Sequence, residues 1–278
     1  MNAPSHPSIG FIGGGNMASA IIGGLIATGF PAQHIRVSDP NADGLARLAA
    51  RYGVHTTHDN TIAADADILL LAVKPQVLQT VCTPLVTLVQ TRRPLVISIA
   101  AGIGSAQVDA WLGGHLAVVR CMPNTPAMVG EGATGLFANT RVSPAQREAA
   151  ESLFRSVGTT CWVDDESLMH AITAVSGSGP AYFFLILEAL ELAGTQAGLP
   201  AETARALAIQ TMRGAARMAR DSGEEPAQLK RNVMSPGGTT ERAIQTFEQG
   251  DLVGLIGQAV AAANARSAEL AEQLARQG

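Results

Sequence analysis

The sequence predicts an α/β domain built on a doubly wound parallel sheet, followed by an all-α domain. In the first half, short apolar runs alternate with segments of helical periodicity, a pattern typical of βαβ units. After about residue 163 the β-branched runs stop, and Ala, Leu, Glu, Gln and Arg dominate. A length of 278 residues is also about twice that of a typical single domain. We therefore expect one domain over residues 1–163 and a second over residues 164–278.

Seven apolar runs are predicted to be strands. Residues 68–72, Ile-Leu-Leu-Leu-Ala, are apolar throughout, which favours a strand buried on both faces of a parallel sheet. Helical patterns separate the runs, and Ser143 followed by Pro144 has the N-cap and first-turn chemistry that begins a helix. The predicted strands cover residues 8–12, 35–38, 68–72, 95–99, 117–120, 133–138 and 160–163, and the clearest helices cover residues 16–28, 41–52, 201–221, 241–247 and 252–277.

The composition predicts that subunits cover much of the surface. Apolar residues make up 47% of the chain and charged residues only 15%, against about 25% in an average soluble protein. Residues 181–193 and 252–268 are apolar or small on more than one helical face. One helical domain cannot bury all of that surface against itself, so we expect a homodimer.

The charge and the aromatic content exclude other classes of partner. A net charge of −4 and an aromatic content of 4% provide neither a basic surface nor stacking platforms for nucleic acid. Residues 9–30 are apolar enough to suggest a signal or membrane segment, but they contain several glycines and no Lys or Arg precedes them. We expect a soluble, cytoplasmic protein with neither a nucleic-acid partner nor a membrane partner.

A glycine-rich loop follows the first predicted strand and opens the first predicted helix. It contains G-x-G-x-x-A as Gly13, Gly15 and Ala18. Gly13 allows the tight turn, Gly15 lets the backbone approach a pyrophosphate, and Ala18 permits close helix-to-strand packing. The helix N-terminus attracts the negative charge of that pyrophosphate. The sequence therefore predicts a Rossmann-type site for a dinucleotide.

The end of the second strand leaves two cofactors open. Asp39 stands where an acidic residue accepts the ribose 2′-hydroxyl of NAD. It is followed by Pro40, however, and as a turn initiator it would face outward and leave Ser38 and backbone amides to accept a phosphate. Both NADH and NADPH remain candidates.

Few side chains are placed to donate a proton during reduction of a carbonyl. Lys74 follows the strand at residues 68–72, at the edge where cofactors bind, and is equally well explained as a surface lysine. His55 and His58 lack a third ligand at suitable spacing, so we predict no metal site. The three cysteines are widely spaced along the chain and odd in number, so we expect them to be reduced thiols. They are Cys82, Cys121 and Cys161.

Three polar segments rich in Gly and Pro adjoin regular elements. The third precedes the helix predicted at residues 241–247, so its amides and the hydroxyls of Ser235, Thr239 and Thr240 are arranged to bind a carboxylate. Plain N-capping by Thr239 or Thr240 explains the same residues equally well. The three segments are residues 122–126, 176–182 and 235–240.

Taken as a set, these motifs resemble one family. The chain resembles the pyrroline-5-carboxylate reductases, which catalyse the last step of proline biosynthesis, over essentially its full length. The residues that carry the resemblance are 10–18, 72–75, 120–126, 176–182 and 229–240, the last being the most specific. The resemblance implies a Rossmann domain, an all-helical dimerisation domain, NADPH or NADH as cofactor, and a homodimer or a decamer of dimers.

The resemblance also assigns site residues. Ser235, Gly238 and Thr239 would meet the substrate carboxylate, Thr240 would face the ring nitrogen as the catalytic residue, and Glu166 would lie nearby. With Asp39 added from its position after the second strand, the predicted cofactor contacts are Ile12, Gly13, Gly14, Gly15, Asn16, Met17, Ser38, Asp39, Asn60, Ala72, Val73, Lys74, Pro75, Ile99, Ala100, Ala101 and Asn232.

A cyclic imine also explains why no strong acid was found. Such a substrate can bind already protonated, so hydride addition needs orientation more than a proton donor, and the Thr240 hydroxyl suffices. Three alternatives stay open. They are a related dehydrogenase for small hydroxy acids, an imine reductase for another small carboxylate, and a non-catalytic dinucleotide sensor. The usual helical-domain lysine of such a dehydrogenase has no good counterpart here, since Lys230 precedes the predicted carboxylate site.

Overall fold

A computed structural model describes residues 6–277, and its centre is one twisted sheet. Within the described residues the sheet has eight strands in the order β3-β2-β1-β4-β5-β6-β7-β8. Neighbouring strands run parallel except β6 and β7, which are antiparallel. The strands are β1 Ile9–Ile12, β2 Ile35–Ser38, β3 His55–Thr57, β4 Ile68–Leu71, β5 Leu95–Ser98, β6 Val118–Met122, β7 Gly132–Ala138 and β8 Gly158–Val163.

The helices connect the strands and then make up the rest of the chain. A π-helical turn, Thr173–Gly177, joins the eighth helix to the ninth. The helices are α1 Asn16–Ala27, α2 Ala42–Tyr52, α3 Asn60–Ala64, α4 Pro75–Cys82, α5 Val86–Arg92, α6 Ser105–Trp111, α7 Pro144–Arg155, α8 Met169–Ile172, α9 Gly179–Gln196, α10 Ala201–Asp221, α11 Pro226–Asn232, α12 Thr239–Gln249 and α13 Leu252–Gln277. The predicted fold class, a Rossmann-type sheet followed by a helical part, is confirmed.

The seven predicted strands are all present, within two residues at most of their ends. Ser143 caps α7 as predicted, accepting a hydrogen bond from the Gln146 N–H, with Pro144 in the first turn. The sequence did not predict β3, because this strand lies at the sheet edge and its residues, His-Thr-Thr, include no apolar side chain. The predicted sheet is parallel apart from one pairing: β7 runs antiparallel to β6, because the connection from Met122 to Gly132 is too short for a parallel crossover.

Helices cover both faces of the sheet and enclose two apolar layers. On one face Phe11 of β1 packs in a cluster with Ile21 of α1. On the other face Leu69 of β4 shares a cluster with Leu78 of α4 and Val108 of α6. Every residue of β4 is buried, which confirms the prediction of a strand covered on both faces. This doubly wound arrangement brings the carboxyl ends of β1 to β6 to one edge.

The chain divides into two compact units that differ from the predicted domains 1–163 and 164–278. One unit comprises residues up to Ser178 together with those from Ala263 onward, and the other comprises Gly179–Ala262. Residues after 163 join the first unit because Met169 and Ala174 are buried in it. The end of α13 joins it too, since Leu274 packs against the core that contains Leu69. That the dimerisation domain begins at residue 164 stays a prediction.

The second unit exposes large apolar side chains. Within it, Glu191 of α9 and Arg205 of α10 form a two-pronged ion pair at 2.8 and 2.9 Å. Phe184 of α9 is 64% exposed and Val253 of α13 is 81% exposed. Among the described residues, Glu166–Gln196 is the one stretch with the length and apolar composition of a membrane span. One such helix is weak evidence, because core helices of soluble proteins also have this length and composition. Such faces fit the predicted contact between subunits.

Candidate active site

The glycine loop makes its tight turn at Gly13. Gly13 has φ +100, and a Cβ there would lie 2.5 Å from the Ala72 carbonyl oxygen. Its N–H donates to the Ser38 carbonyl at 2.7 Å. The loop therefore lies in close contact with the residues that follow β2 and β4, and glycine is required by both the backbone conformation and the space.

The start of α1 is open to an anion. Gly15, the N-cap, is exposed, and a Cβ built on it meets no atom within 4 Å. Among the described residues no side chain caps this helix, and its first turn contains no acidic residue. The N–H groups of the first turn have no acceptor inside the helix, and they carry the positive end of its dipole. The site fits the diphosphate of a dinucleotide.

Asp39 turns toward the glycine loop. Its carboxylate accepts the Gly14 N–H at 2.7 Å through Oδ2 and the Asn41 N–H at 2.8 Å through Oδ1. The outward orientation that Pro40 suggested is therefore wrong. Ser38 is fully buried and donates from Oγ to Asn60 Oδ1 at 2.7 Å, so its hydroxyl is already engaged by the protein.

The other predicted cofactor residues of the first unit follow β4 and β5. Lys74 is the N-cap residue of α4, with Pro75 in the first turn. The Ile99 N–H donates to the Leu71 carbonyl at 3.2 Å, which holds the ends of these two strands together, while Ala101 is exposed. The residues predicted after β1, β2, β4 and β5 thus meet at one edge, where doubly wound sheets bind ligands. Asn232, in α11, belongs to the second unit.

The segment before α12 forms a turn that a carboxylate already contacts. The Gly238 N–H donates to the Ser235 carbonyl at 2.9 Å, and Gly237 has φ +71. Glu241 Oε2 accepts the Gly237 N–H at 2.7 Å. The helix begins at Thr239 with Gly238 as its N-cap.

The N-capping alternative for Thr239 and Thr240 is therefore wrong, since both residues lie inside the helix. Thr240 is half-buried, whereas Ser235 and Thr239 are exposed. Ser235, Gly238, Thr239 and Thr240 do come together at one helix start, which is the arrangement that their predicted role requires.

Glu166 lies in the first unit and is held by protein groups. Its Oε1 accepts the Ser105 N–H at 2.7 Å, and its Oε2 accepts from Ser105 Oγ at 2.8 Å. Arg120 Nη1 lies 3.2 Å from Oε1, with its side chain only 7% exposed. These three contacts were not predicted, although an arginine inside an apolar strand such as β6 indicates a buried partner.

Asn124 connects two of the segments that the sequence singled out. Its Nδ2 donates to the Ser176 carbonyl at 3.0 Å, and its Oδ1 accepts the Ala133 N–H at 2.9 Å. It is 8% exposed. Ser176 lies in the π-helical turn, a feature that often occurs at functional sites. The Asn124 side chain thus joins the segments at residues 122–126 and 176–182, a contact that the sequence did not predict.

His170 lies in the same region as Arg120. Burial lowers the pKa of His170 below its usual 6.5, Arg120 lowers it further, and Glu166 opposes the shift. Its Nδ1 lies 2.9 Å from Ser267 Oγ in the part of α13 that joins the first unit. The neutral imidazole is the favoured form in this environment.

Among the described residues, the histidine pair lies in no metal-binding cluster and the cysteines form no disulfide. Over residues 6–277 no group of three or more His, Cys, Asp or Glu is placed to hold a metal ion. All three cysteines are free. Burial raises the pKa of the Cys82 thiol to about 12 and that of Cys121 well above its usual value, while Cys161 is exposed.

Two family models match the chain. Residues 8–102 match the family described as NADP oxidoreductase, coenzyme F420-dependent, and residues 166–270 match pyrroline-5-carboxylate reductase dimerisation. The first range contains the glycine loop and the residues after β2 and β4. The second contains Glu166 and the turn before α12.

Relatives cover the whole chain. The pyrroline-5-carboxylate reductase of Pseudomonas aeruginosa is 52% identical over 97% of this chain and 99% of its own length. The structure of the Coxiella burnetii enzyme superposes with a TM-score of 0.93 at 47% identity, covering 96% of this chain and 99% of that one. The Plasmodium falciparum enzyme, solved with NADP bound, superposes with a TM-score of 0.84 at 29% identity, covering 96% and 98%.

The Rossmann-type sheet, the glycine loop and the open start of α1 define a nicotinamide-dinucleotide oxidoreductase. Within that class, the chain belongs to the pyrroline-5-carboxylate reductase family. Members of this family reduce 1-pyrroline-5-carboxylate to proline with NAD(P)H, an oxidation–reduction at a CH–NH group.

Proposed function

We propose that this chain reduces 1-pyrroline-5-carboxylate to L-proline in the cytoplasm, with the residues assigned above holding cofactor and substrate. The observation that carries the proposal is the open start of α1 after Gly13, at the sheet edge that also contains Asp39 and Lys74. It offers unpaired N–H groups to a diphosphate and is bordered by the residues that follow β2, β4 and β5.

The cofactor rests on this edge. A bound reduced nicotinamide supplies the hydride that adds to the imine carbon. Gly13, Gly15 and the N–H groups of Asn16 and Met17 would hold the diphosphate, and the loops at residues 72–75 and 99–101 lie along the same edge. Asp39 favours NADH, because its inward carboxylate would repel the additional phosphate of NADPH.

The substrate rests on the turn before α12. Ser235, Gly238 and Thr239 bind its carboxylate through their N–H groups and hydroxyls. Thr240 Oγ1 accepts a hydrogen bond from the protonated ring nitrogen and so orients the imine carbon. Since the nitrogen already carries its proton, no further acid is required during hydride addition.

The roles of these residues predict the result of a substitution series. With 1-pyrroline-5-carboxylate present, the wild-type protein should oxidise NADH or NADPH rapidly. Thr240→Ala should lower kcat/KM about 10- to 100-fold, the effect of losing a hydrogen bond to a charged group. Thr240→Ser should restore most of the rate because it keeps the hydroxyl.

A matched control lies on the same helix. Thr246 donates to the Arg242 carbonyl at 3.0 Å on an exposed part of α12, so Thr246→Ala should leave turnover unchanged. Undiminished turnover by Thr240→Ala would overturn the role of Thr240. Cofactor binding without turnover by the wild-type protein would overturn the reductase proposal and favour a dinucleotide sensor.

The exposed apolar faces support a homodimer as the minimum assembly. Phe184, Leu185 and Val253 are each more than half exposed within their unit, and burying them between subunits removes large apolar area from water. Light scattering coupled to gel filtration distinguishes the expected dimer, or a decamer of dimers, from a monomer. A monomer at micromolar concentration would contradict this assembly.

A further inference from the structure

We propose that Glu166 is a positioning residue for the loop between β5 and α6, residues 99–104, and contributes to cofactor binding through that loop. This inference rests on the proposed function, because it takes the edge beyond β4 and β5 as the cofactor site. It departs from the role implied by the family resemblance, in which Glu166 lies near the substrate.

The first argument is that the Glu166 carboxylate is already engaged by the chain. Both of its oxygens accept hydrogen bonds from Ser105, at 2.7 Å from the backbone N–H and 2.8 Å from Oγ. Ser105 is 4% exposed and is the first residue of α6. Glu166 lies 61 residues further along the chain, so the contact attaches the far end of the loop to a distant segment.

The second argument concerns the charge of Arg120. The guanidinium of Arg120 lies 3.2 Å from Glu166 Oε1, and its side chain is 7% exposed. Arg120 pairs in register with Ser98, the last residue of β5. Glu166 therefore neutralises a buried cation directly beside the strand from which the loop begins, and without Glu166 that cation would lose its anionic partner.

The third argument is that the loop borders the cofactor edge and is packed against the core, where Ala100 and Ile103 are buried, so a shift of its far end would be passed along it. Its first residue, Ile99, donates to the Leu71 carbonyl at 3.2 Å, next to residues 72–75. Gly102 has φ +79, a conformation that gives the loop a sharp change of direction. With β5 fixed at one end and Ser105 held by Glu166 at the other, the loop has one defined path along this edge.

The experiment measures cofactor affinity without substrate. NADH and NADPH dissociation constants are determined by fluorescence titration for the wild-type protein, Glu166→Ala, Glu166→Gln, Ser105→Ala and the double variant Glu166→Ala/Ser105→Ala. We expect Glu166→Ala to raise the dissociation constant at least fivefold and Ser105→Ala to raise it measurably. The double variant should bind the cofactor no more weakly than Glu166→Ala does, because both substitutions remove the same interaction.

Steady-state kinetics separate positioning from direct contact. We expect the KM for 1-pyrroline-5-carboxylate to change less than twofold in Glu166→Ala, and Glu166→Gln, which keeps an acceptor for the Ser105 N–H, to recover part of the cofactor affinity. A tenfold higher substrate KM with unchanged cofactor affinity would overturn the proposal in favour of direct substrate contact. A lower melting temperature with unchanged cofactor affinity would overturn it in favour of a purely structural role.

Matched controls keep the result interpretable. Glu148 forms an exposed ion pair with Arg155 at 3.0 Å on α7, so Glu148→Ala should change none of these quantities. If Glu166→Ala fails to fold, Ser105→Ala, which retains its backbone N–H, carries the test by itself, and an unchanged cofactor affinity overturns the proposal. Because cofactor affinity is measured without substrate, this test is independent of whether wild-type protein turns over 1-pyrroline-5-carboxylate.

Discussion

Two glycine turns in this protein are held in the same way but by carboxylates of different origin. The Gly14 N–H donates to Asp39 at 2.7 Å, and the Gly237 N–H donates to Glu241 at 2.7 Å. Asp39 lies 25 residues further along the chain, after the neighbouring strand, whereas Glu241 lies four residues further along, in the helix that the turn begins. The first turn depends on the assembled sheet, and the second depends on local sequence.

The surroundings of the two turns differ accordingly. Gly13 is buried and lies against the Ala72 carbonyl, while Gly237 is exposed with open space where a Cβ would stand. Both have positive φ, +100 and +71. A side chain at either glycine would strain the backbone, because both have positive φ. Only at the first turn would the added Cβ also clash with packed neighbours.

The largest expected effect is at the first turn. Gly13→Ala should lower the free energy of unfolding by about 2–4 kcal/mol, from positive φ together with the clash against Ala72. It should also abolish NAD(P)H binding. Urea denaturation and fluorescence titration measure the two effects. Gly29, with φ +90 and open space around it, is the matched control, and an equal loss in Gly29→Ala would show that the close approach contributes nothing.

The next effect separates cofactor binding from folding. Gly15 has φ −72 and open space, so Gly15→Ala should change the free energy of unfolding by less than about 0.5 kcal/mol. The added methyl group would stand where the diphosphate approaches, and the cofactor dissociation constant should rise at least about tenfold. Unchanged affinity, measured by fluorescence titration, would place the diphosphate elsewhere.

A third substitution tests what the distant carboxylate contributes besides holding the loop. Asp39→Asn keeps an acceptor for the Gly14 N–H but removes the charge. The ratio of kcat/KM for NADPH to that for NADH should rise about tenfold, because repulsion of the 2′-phosphate is relieved. Asp39→Ala, which also removes the acceptor, should weaken both cofactors. A ratio that does not change in Asp39→Asn would contradict the NADH preference proposed for Asp39.

The smallest effect on the cofactor is expected at the second turn. Gly237→Ala should lower the free energy of unfolding by about 1–2 kcal/mol, the cost of positive φ alone, with no change in the cofactor dissociation constant. Thermal unfolding and the same titration provide the measurement. A loss as large as that of Gly13→Ala would mean that the turn before α12 is as tightly packed as the glycine loop.

Local patterns predicted most of the first unit. β2 was predicted at its observed bounds, and the start of α7 at Ser143 followed from capping chemistry, because burial and caps depend on neighbouring residues. β3 and the direction of β7 were not predicted. A three-residue polar edge strand has no periodicity to detect, and the direction of a strand depends on which neighbour it pairs with.

The candidate site was predicted unevenly for the same reason. Gly13 and Asp39 could be predicted because the spacing of the dinucleotide motif follows from one strand, one turn and one helix. The contact between Glu166 and Ser105 was not, since no local rule relates residues 61 apart. Asn124 likewise contacts Ser176, 52 residues away, through a bond that only the folded chain creates.

By itself, the sequence determined the alternation of strands and helices, the glycine loop with its dinucleotide chemistry, and the family to which the chain belongs. Those features depend on periodicity, turn chemistry and motif spacing, which are properties of adjacent residues. Only the tertiary structure decided that Asp39 faces the loop, that Glu166 holds Ser105 beside a buried Arg120, and that residues 164–178 pack with the sheet. These are relations between distant residues, and their energies exist only once folding has brought the partners into contact.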